Sequence, residues 1–203
     1  KSLEPVTTVV AYPCEQTALT GAIEAAEANL IRPILVGPRQ KILETALASK
    51  LSIDAYPIED VADSHVAAAR AVELVRMARA EVLMKGSLHT DELMSAVVSS
   101  ATGLRTGRRI SHAFVMSVPT YPKPLIVTDS AINIAPKLDD KRDICQNAID
   151  LAWSLGREMP KVAILSAVET VTTKIPSTID AAALCKMADR GQITGAILDG
   201  PLA

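Results

Sequence analysis

An α/β fold is expected for this 203-residue chain, on three observations. Short runs rich in β-branched residues alternate with longer segments that carry apolar residues at spacings of three and four. Each short run is apolar at consecutive positions, the pattern of a strand covered on both faces. The hydrophobic content is 49% but the aromatic content only 2%, so the core must be built from Ala, Val, Leu and Ile, as in a sheet with helices on either side.

In chain order, the expected strands are VTTVVAY (6–12), PILVG (33–37), EVLMKG (81–86), AFVMSV (113–118), LIVTDS (125–130), KVAILSA (161–167) and GAILDG (195–200). Helices are expected in CEQTALTGAIEAAEANL (14–30), in the segment after Ser64, in SLHTDELM with Thr90 as N-cap, over 139–155, and around AALCKM. This alternation implies right-handed crossovers and a largely parallel sheet, whose ligands gather beyond the carboxyl ends of the strands. The exception follows Ser111, where two strands meet around the proline-rich PTYPKP, the mark of a hairpin or a domain crossover. A first domain over 1–110 and a second over 111–203 are therefore expected. Trp153 and Phe114 are expected in the core.

Composition excludes several classes. The 21 basic and 23 acidic residues are mixed along the chain, without the basic excess that binding nucleic acid demands. Cys14, Cys145 and Cys185 are far apart and show neither zinc-ligand nor disulfide-framework spacing. No apolar run approaches the roughly 20 residues of a membrane span. The opening KSLEPVTTVVAYP lacks a secretion signal, so a soluble, cytoplasmic protein with no membrane partner is expected. The missing initiator Met and the ending in DGPLA point to a chain cut at both ends.

Chemistry begins after EVLMKG. Gly86 lets the chain turn, and a helix start then directs free N–H groups and its positive end toward the strand edge. Lys85 adds a point charge, while Ser87, His89 and Thr90 offer hydrogen bonds to ligand oxygens. The alternative is a solvent-facing lysine beside ordinary capping residues. In TGLRTGRRISH, Arg105, Arg108 and Arg109 fall within five positions, interspersed with Gly103 and Gly107. Guanidinium groups match phosphate bidentately, although such a loop is equally a solvated basic segment or a set of arginines paired to acidic neighbours. Neither a Walker loop nor a GxGxxG follows a strand. Asp129 and Asn133 follow one strand, and Ser166 and Thr178 follow another; all four could line a cleft, or serve as turn and cap residues. Asp139 and Asp140 suit a helix dipole better than a metal, and no metal site is expected.

The blocks LMKGSLHTDELM, TGLRTGRRISHAFVM, PLIVTDSAINIAP, DKRDICQNAIDLA and KVAILSAVETVTTKIPSTIDAAALCKMADRGQITGAILDGPLA resemble phosphate acetyltransferases and phosphate butyryltransferases, especially the butyryl branch and proteins fused to enoyl-CoA hydratase-like domains. The resemblance is strongest from Val82 onward. It implies an isocitrate/isopropylmalate dehydrogenase-like fold, with two three-layer α/β domains flanking a cleft, in a homodimer. The implied reaction is acyl-CoA plus phosphate giving acyl phosphate plus CoA, with CoA a substrate and no tightly bound cofactor or metal. Lys85, His89 and the Arg105–Arg109 cluster would then bind the anionic reactants. Two departures follow from the same resemblance. The acetyl branch commonly has an arginine where this chain has Met94, and the family's catalytic serine, arginine and aspartate lie in a C-terminal segment that would follow DGPLA. The base is thus expected beyond residue 203, with the second domain partial and the present chain inactive alone. Two other readings stay open: a non-catalytic CoA- or anion-binding and dimerisation module, and a metal-dependent oxidoreductase of the same fold.

Overall fold

A computed structural model describes residues 3–203. The chain divides into two compact units, Lys1–Arg105 and Thr106–Ala203.

Unit 1 contains β1 (Val6–Ala11), α1 (Gln16–Glu27), β2 (Ile31–Gly37), α2 (Arg39–Ala48), β3 (Ile58–Asp60), α3 (Ser64–Arg76), β4 (Val82–Lys85) and α4 (Thr90–Val97). Its four strands are all parallel, in the order β3-β2-β1-β4. Successive residues of β1 serve opposite faces: Val9 and Ala11 pack with Ala67, Ala71 and Leu74 of α3, while Val10 packs with Leu19, Ile23 and Ile42 of α1 and α2. Both faces of the strand are apolar because both are covered. Burying a Val, Leu or Ile side chain contributes about 1.5–3 kcal/mol, so the two clusters together anchor the unit.

Unit 2 contains β5 (Ala113–Met116), β6 (Leu125–Thr128), α5 (Leu138–Ser154), β7 (Lys161–Leu165), α6 (Pro176–Asp189) and β8 (Ile197–Leu202). Of the hairpin or domain crossover expected around PTYPKP, β5 and β6 form the hairpin, an antiparallel pair with Phe114 opposite Val127. β7 and β8 are parallel, and α5 and α6 contribute Cys145, Ile149 and Leu184 to a core against which Val162, Ile164 and Leu198 pack.

Several local expectations are corrected. The N-cap of α4 is His89, and Thr90 is the first helical residue. Glu92 sends its carboxylate back to accept from the His89 backbone N–H at 3.3 Å, which fixes the helix start one residue earlier. Phe114 and Trp153 are not core residues, at 53% and 44% exposed. Phe114 meets the His112 ring edge-on, and the Trp153 indole N–H donates to the Gly195 carbonyl at 2.7 Å. That hydrogen bond holds the ring at the surface, where its polar edge is satisfied. α2 and β3 were not expected. α2 buries only Ile42 and Ala46, too narrow a stripe to stand out, and β3 has three residues.

Candidate functional site

In unit 1 the loops after β1 and β4 lie side by side at the carboxyl edge of the sheet. The chain leaves β1 for β2 on one side, and β4 lies on the other, which makes this edge the topological switch point where open α/β sheets bind ligands. The two loops are stitched together: Gly86 N–H donates to Ala11 O, and Ser87 N–H to Tyr12 O, each at 2.9 Å. The Ser87 hydroxyl also donates to Tyr12 O at 2.8 Å and accepts from Cys14 N–H at 3.2 Å. Its first role is therefore to hold the loops together.

Gly86 is buried, and a Cβ there would press on the Ala11 and Tyr12 carbonyls. Glycine is required by this close approach of two backbones. Lys85 is exposed, and its ammonium donates to the Gly86 carbonyl at 3.2 Å. Among the described residues it forms no ion pair. His89 and Thr90 are exposed at the start of α4. Asp91 and Glu92 occupy the first turn of α4 and offset part of its positive end. Glu92 is also engaged by Ser64 and His65. Burial pushes the Cys14 thiol up to about 11 despite the attraction of Lys41, so it is a poor nucleophile near neutral pH.

In unit 2, Arg109, Asn133 and Asp129 form one chain of contacts. Arg109 Nε donates to Asn133 Oδ1 at 2.8 Å, and the Asn133 amide donates to Asp129 and to the Ile110 carbonyl. Burial raises the Asp129 carboxyl, but N–H donors of Ile132, Ala131 and Asn133 outweigh it and leave its pKa below the usual value. Arg108 pairs with Asp150 at 2.7 Å, and Arg109 approaches Asp140 at 3.5 Å. The Arg109 backbone N–H donates to the buried Asp143 at 2.9 Å, and Asn147 Nδ2 donates to the Arg109 carbonyl at 2.8 Å. Arg105 closes unit 1, exposed and with no ion pair among the described residues.

The remaining two positions lie at the loop after β7. The Ser166 and Ser177 hydroxyls share a hydrogen bond of 2.7 Å. Thr178 is fully buried in the first turn of α6, where its hydroxyl accepts from Thr172 N–H and faces the Thr172 and Ile175 carbonyls. It ties a loop to a helix. Sequence reasoning missed Asp143, Asn147 and Asp150 as partners of the arginines, although spacings of four and three place them on one helix face. It also missed Tyr12 and Lys41, which carry no motif.

Among the described residues no group of three or more His, Cys, Asp or Glu side chains could hold a metal ion, and no helix is long and apolar enough to cross a membrane.

Residues 60–203 match the family described as Phosphate acetyl/butaryl transferase. The chain is 64% identical to a phosphate acetyltransferase of Rhizobium meliloti, covering 98% of this chain and 63% of that protein. It is 40% identical to a phosphate butyryltransferase of Clostridium beijerinckii, covering 96% of this chain and 64% of the relative. A branched-chain phosphotransacylase from Enterococcus faecalis V583 superposes with a TM-score of 0.80 at 26% identity, covering 98% of this chain and 68% of that one. The chain thus spans less than two thirds of the length of these curated relatives. The family expected from the sequence blocks holds, and within it identity is higher to the acetyl-named relative than to the butyryl-named one. On the match over 60–203, the chain belongs to the phosphate acetyl/butaryl transferase family.

Proposed function

We propose that the protein containing this chain moves a short acyl group, acetyl or butyryl, between coenzyme A and inorganic phosphate. In the direction of thioester synthesis, the CoA sulfur attacks the acyl phosphate carbonyl, a C–S bond forms, the C–O bond to phosphate breaks, and phosphate leaves with the electron pair while the thiol proton ends on that phosphate. The observation that carries this reading is the β4–α4 turn, which lies within the family match. An ammonium without an ion pair among the described residues, Lys85, precedes a helix start at the switch point of a parallel sheet. Two anionic reactants repel, and a cation and N–H donors beside them offset that repulsion. A donor near the carbonyl oxygen would also lower the barrier as charge develops there.

In this reading Lys85, Gly86, Ser87, His89 and Thr90 form the phosphate side of the site, with Gly86 and Ser87 shaping the turn. Arg105, Arg108 and Arg109 add charge for CoA or phosphate, and Asp129 and Asn133 orient Arg109. Ser166 and Thr178 support the loop after β7. The regions 1–110 and 111–203 serve as two domains of an isocitrate/isopropylmalate dehydrogenase-like fold, in a homodimer. CoA acts as a substrate, and the setting is the cytoplasm.

The test is thioester formation from CoA with acetyl and butyryl phosphate, using the full-length gene product. Lys85→Ala is expected to lower kcat/KM by about tenfold to a hundredfold. Arg108→Ala and Arg109→Ala run beside it, and full activity in both removes the arginine loop from the mechanism. Absence of turnover with every acyl phosphate would favour a non-catalytic CoA-binding module.

A further inference from the structure

Tyr12 holds an unusual backbone conformation for its place. Asn29, Lys50 and Ala78 also have positive φ, but each follows the C-cap of a helix, where left-handed residues commonly close the last turn, and Met159 lies in the loop before β7. Tyr12, with φ 57°, instead follows the last residue of β1. A bulky residue in this region is strained, and such strain persists where neighbouring structure imposes it. Here the imposing contacts are the Ser87 N–H and hydroxyl on the Tyr12 carbonyl, and the Tyr12 N–H on Val36 O at 2.7 Å.

The Tyr12 side chain meets Lys41 of α2. Lys41 Nζ donates to the Tyr12 hydroxyl at 3.3 Å and lies 5.9 Å from the ring centroid. The Tyr12 hydroxyl is foremost in raising the pKa of this exposed ammonium above its ordinary value. Glu44, on the same helix, accepts from Gln40 at 2.9 Å, and Lys41 has no salt bridge among the described residues. An ammonium carries three donors, and Lys41 uses one of them on Tyr12. Because the Tyr12 oxygen accepts from Lys41, its own O–H is left to donate. Unspent N–H donors of Lys41 and the O–H of Tyr12 therefore lie together beside the end of β1, with the Glu44 carboxylate also acting on the ammonium. Tyr12 is bonded directly to the β4 turn that carries Lys85.

We infer that Tyr12 and Lys41 form a binding site for a phosphate group beside the end of β1, either a phosphate ester of coenzyme A or the free phosphate of the reaction. The choice between these sources rests on the acyl-transfer reading above, whereas phosphate binding as such does not. A tetrahedral oxyanion accepts from an ammonium and a hydroxyl at once, which a carbonyl or an amide does less well. The strained Tyr12 backbone is the device that presents the hydroxyl beside Lys41.

The experiment is calorimetric titration of the full-length protein with CoA, with CoA lacking its 3'-phosphate, and with inorganic phosphate. The proteins compared are the wild type, Lys41→Met, Lys41→Arg and Tyr12→Phe. The expected result is an affinity about tenfold weaker in Lys41→Met for at least one ligand, a smaller loss in Tyr12→Phe, and recovery in Lys41→Arg. A loss seen with CoA but not with its dephosphorylated form identifies the 3'-phosphate, and a loss with inorganic phosphate identifies the reacting group. Lys41 is exposed on α2, so its variants read binding even if Tyr12→Phe disturbs the loop. Unchanged affinity of Lys41→Met for all three ligands overturns the site, as does a wild type that binds none of them. Acyl transfer measured on the same samples separates the two ideas. A wild type that transfers acyl groups while Lys41→Met binds normally sinks this inference alone. A wild type that binds phosphate through Lys41 but transfers nothing sinks the functional reading alone.

Discussion

Gly86→Ala places the heaviest demand on the β1–β4 edge. A Cβ at this position would sit 2.7 Å from the Tyr12 carbonyl carbon and closer still to the Ala11 and Tyr12 carbonyl oxygens, where ordinary contact begins at 3.4 Å. All three atoms are backbone, so no side chain can rotate away. The turn must retreat by roughly 0.7 Å or more, which is the backbone shift that overpacking forces. Retreat on that scale takes Gly86 N–H to Ala11 O and Ser87 N–H to Tyr12 O, both 2.9 Å now, out of hydrogen-bonding range. Two lost bonds at about 1 kcal/mol each, with residual strain, amount to roughly 2–3 kcal/mol. For a unit of this size that corresponds to a fall in Tm on the order of 10 °C. Differential scanning calorimetry of the wild type and Gly86→Ala reads it directly. Gly107→Ala is the control, since nothing lies within 4 Å of a Cβ built there. A Gly86→Ala protein melting within about 2 °C of the wild type would refute the close-approach argument.

Thr178→Val keeps the shape of a fully buried side chain but removes the acceptor for Thr172 N–H, so a loss of about 1–3 kcal/mol is expected in urea unfolding, and a neutral result would show that Thr172 finds another partner. Acid should weaken unit 2 through Asp143. Burial raises that carboxyl, but the Arg109 N–H and the Arg142 guanidinium prevail, and its pKa in the folded state lies below the usual carboxylate value. The folded state then binds fewer protons than the unfolded one, so the contribution is present above about pH 4 and is lost as pH falls through the depressed folded value. Urea midpoints measured from neutral pH down to acid should decline less steeply in Asp143→Asn than in the wild type; parallel curves would remove Asp143 from the linkage.

The parts of the fold that were legible share one property: their side chains answer to burial alone. β1 reads as a strand because Val9, Val10 and Ala11 are apolar in succession, and α3 reads as a helix because Ala67, Ala68, Ala71, Val72 and Leu74 recur on one side. The misses lie where a single polar contact decides. Trp153 looks like core by composition, yet its N–H has an acceptor at Gly195 only at the surface. Thr90 is a better N-cap by residue type than His89, but the Glu92 carboxylate selects the earlier position. At the site, Gly86 was legible as a turn and Lys85 as a charge. Tyr12 was not, because its left-handed backbone is imposed by Ser87 and Val36, residues distant in sequence.

The arginine loop shows why a residue pattern leaves two readings open. Its backbone is held by inward-facing side chains: Asp143 takes the Arg109 N–H, Asn147 the Arg109 carbonyl and Asn133 the Ile110 carbonyl. The Arg108 and Arg109 side chains, by contrast, are 45% and 55% exposed, and their guanidinium heads rest on Asp150 and Asn147 and on Asp140 and Asn133. Exposed pairs of this kind contribute about 0–1 kcal/mol, less than a bidentate charge-assisted bond to phosphate can offer. Pairing with acidic neighbours therefore does not conflict with the phosphate binding proposed above for the same loop. In the proposed reading, Asp150 and Asp140 hold the heads at an energy that a phosphate could displace. Because the backbone is already fixed, little ordering entropy is lost when that exchange occurs. The loop was legible as cationic from its arginines alone, but its preorganisation resides in α5, at Asp143 and Asn147, one turn apart on the helix.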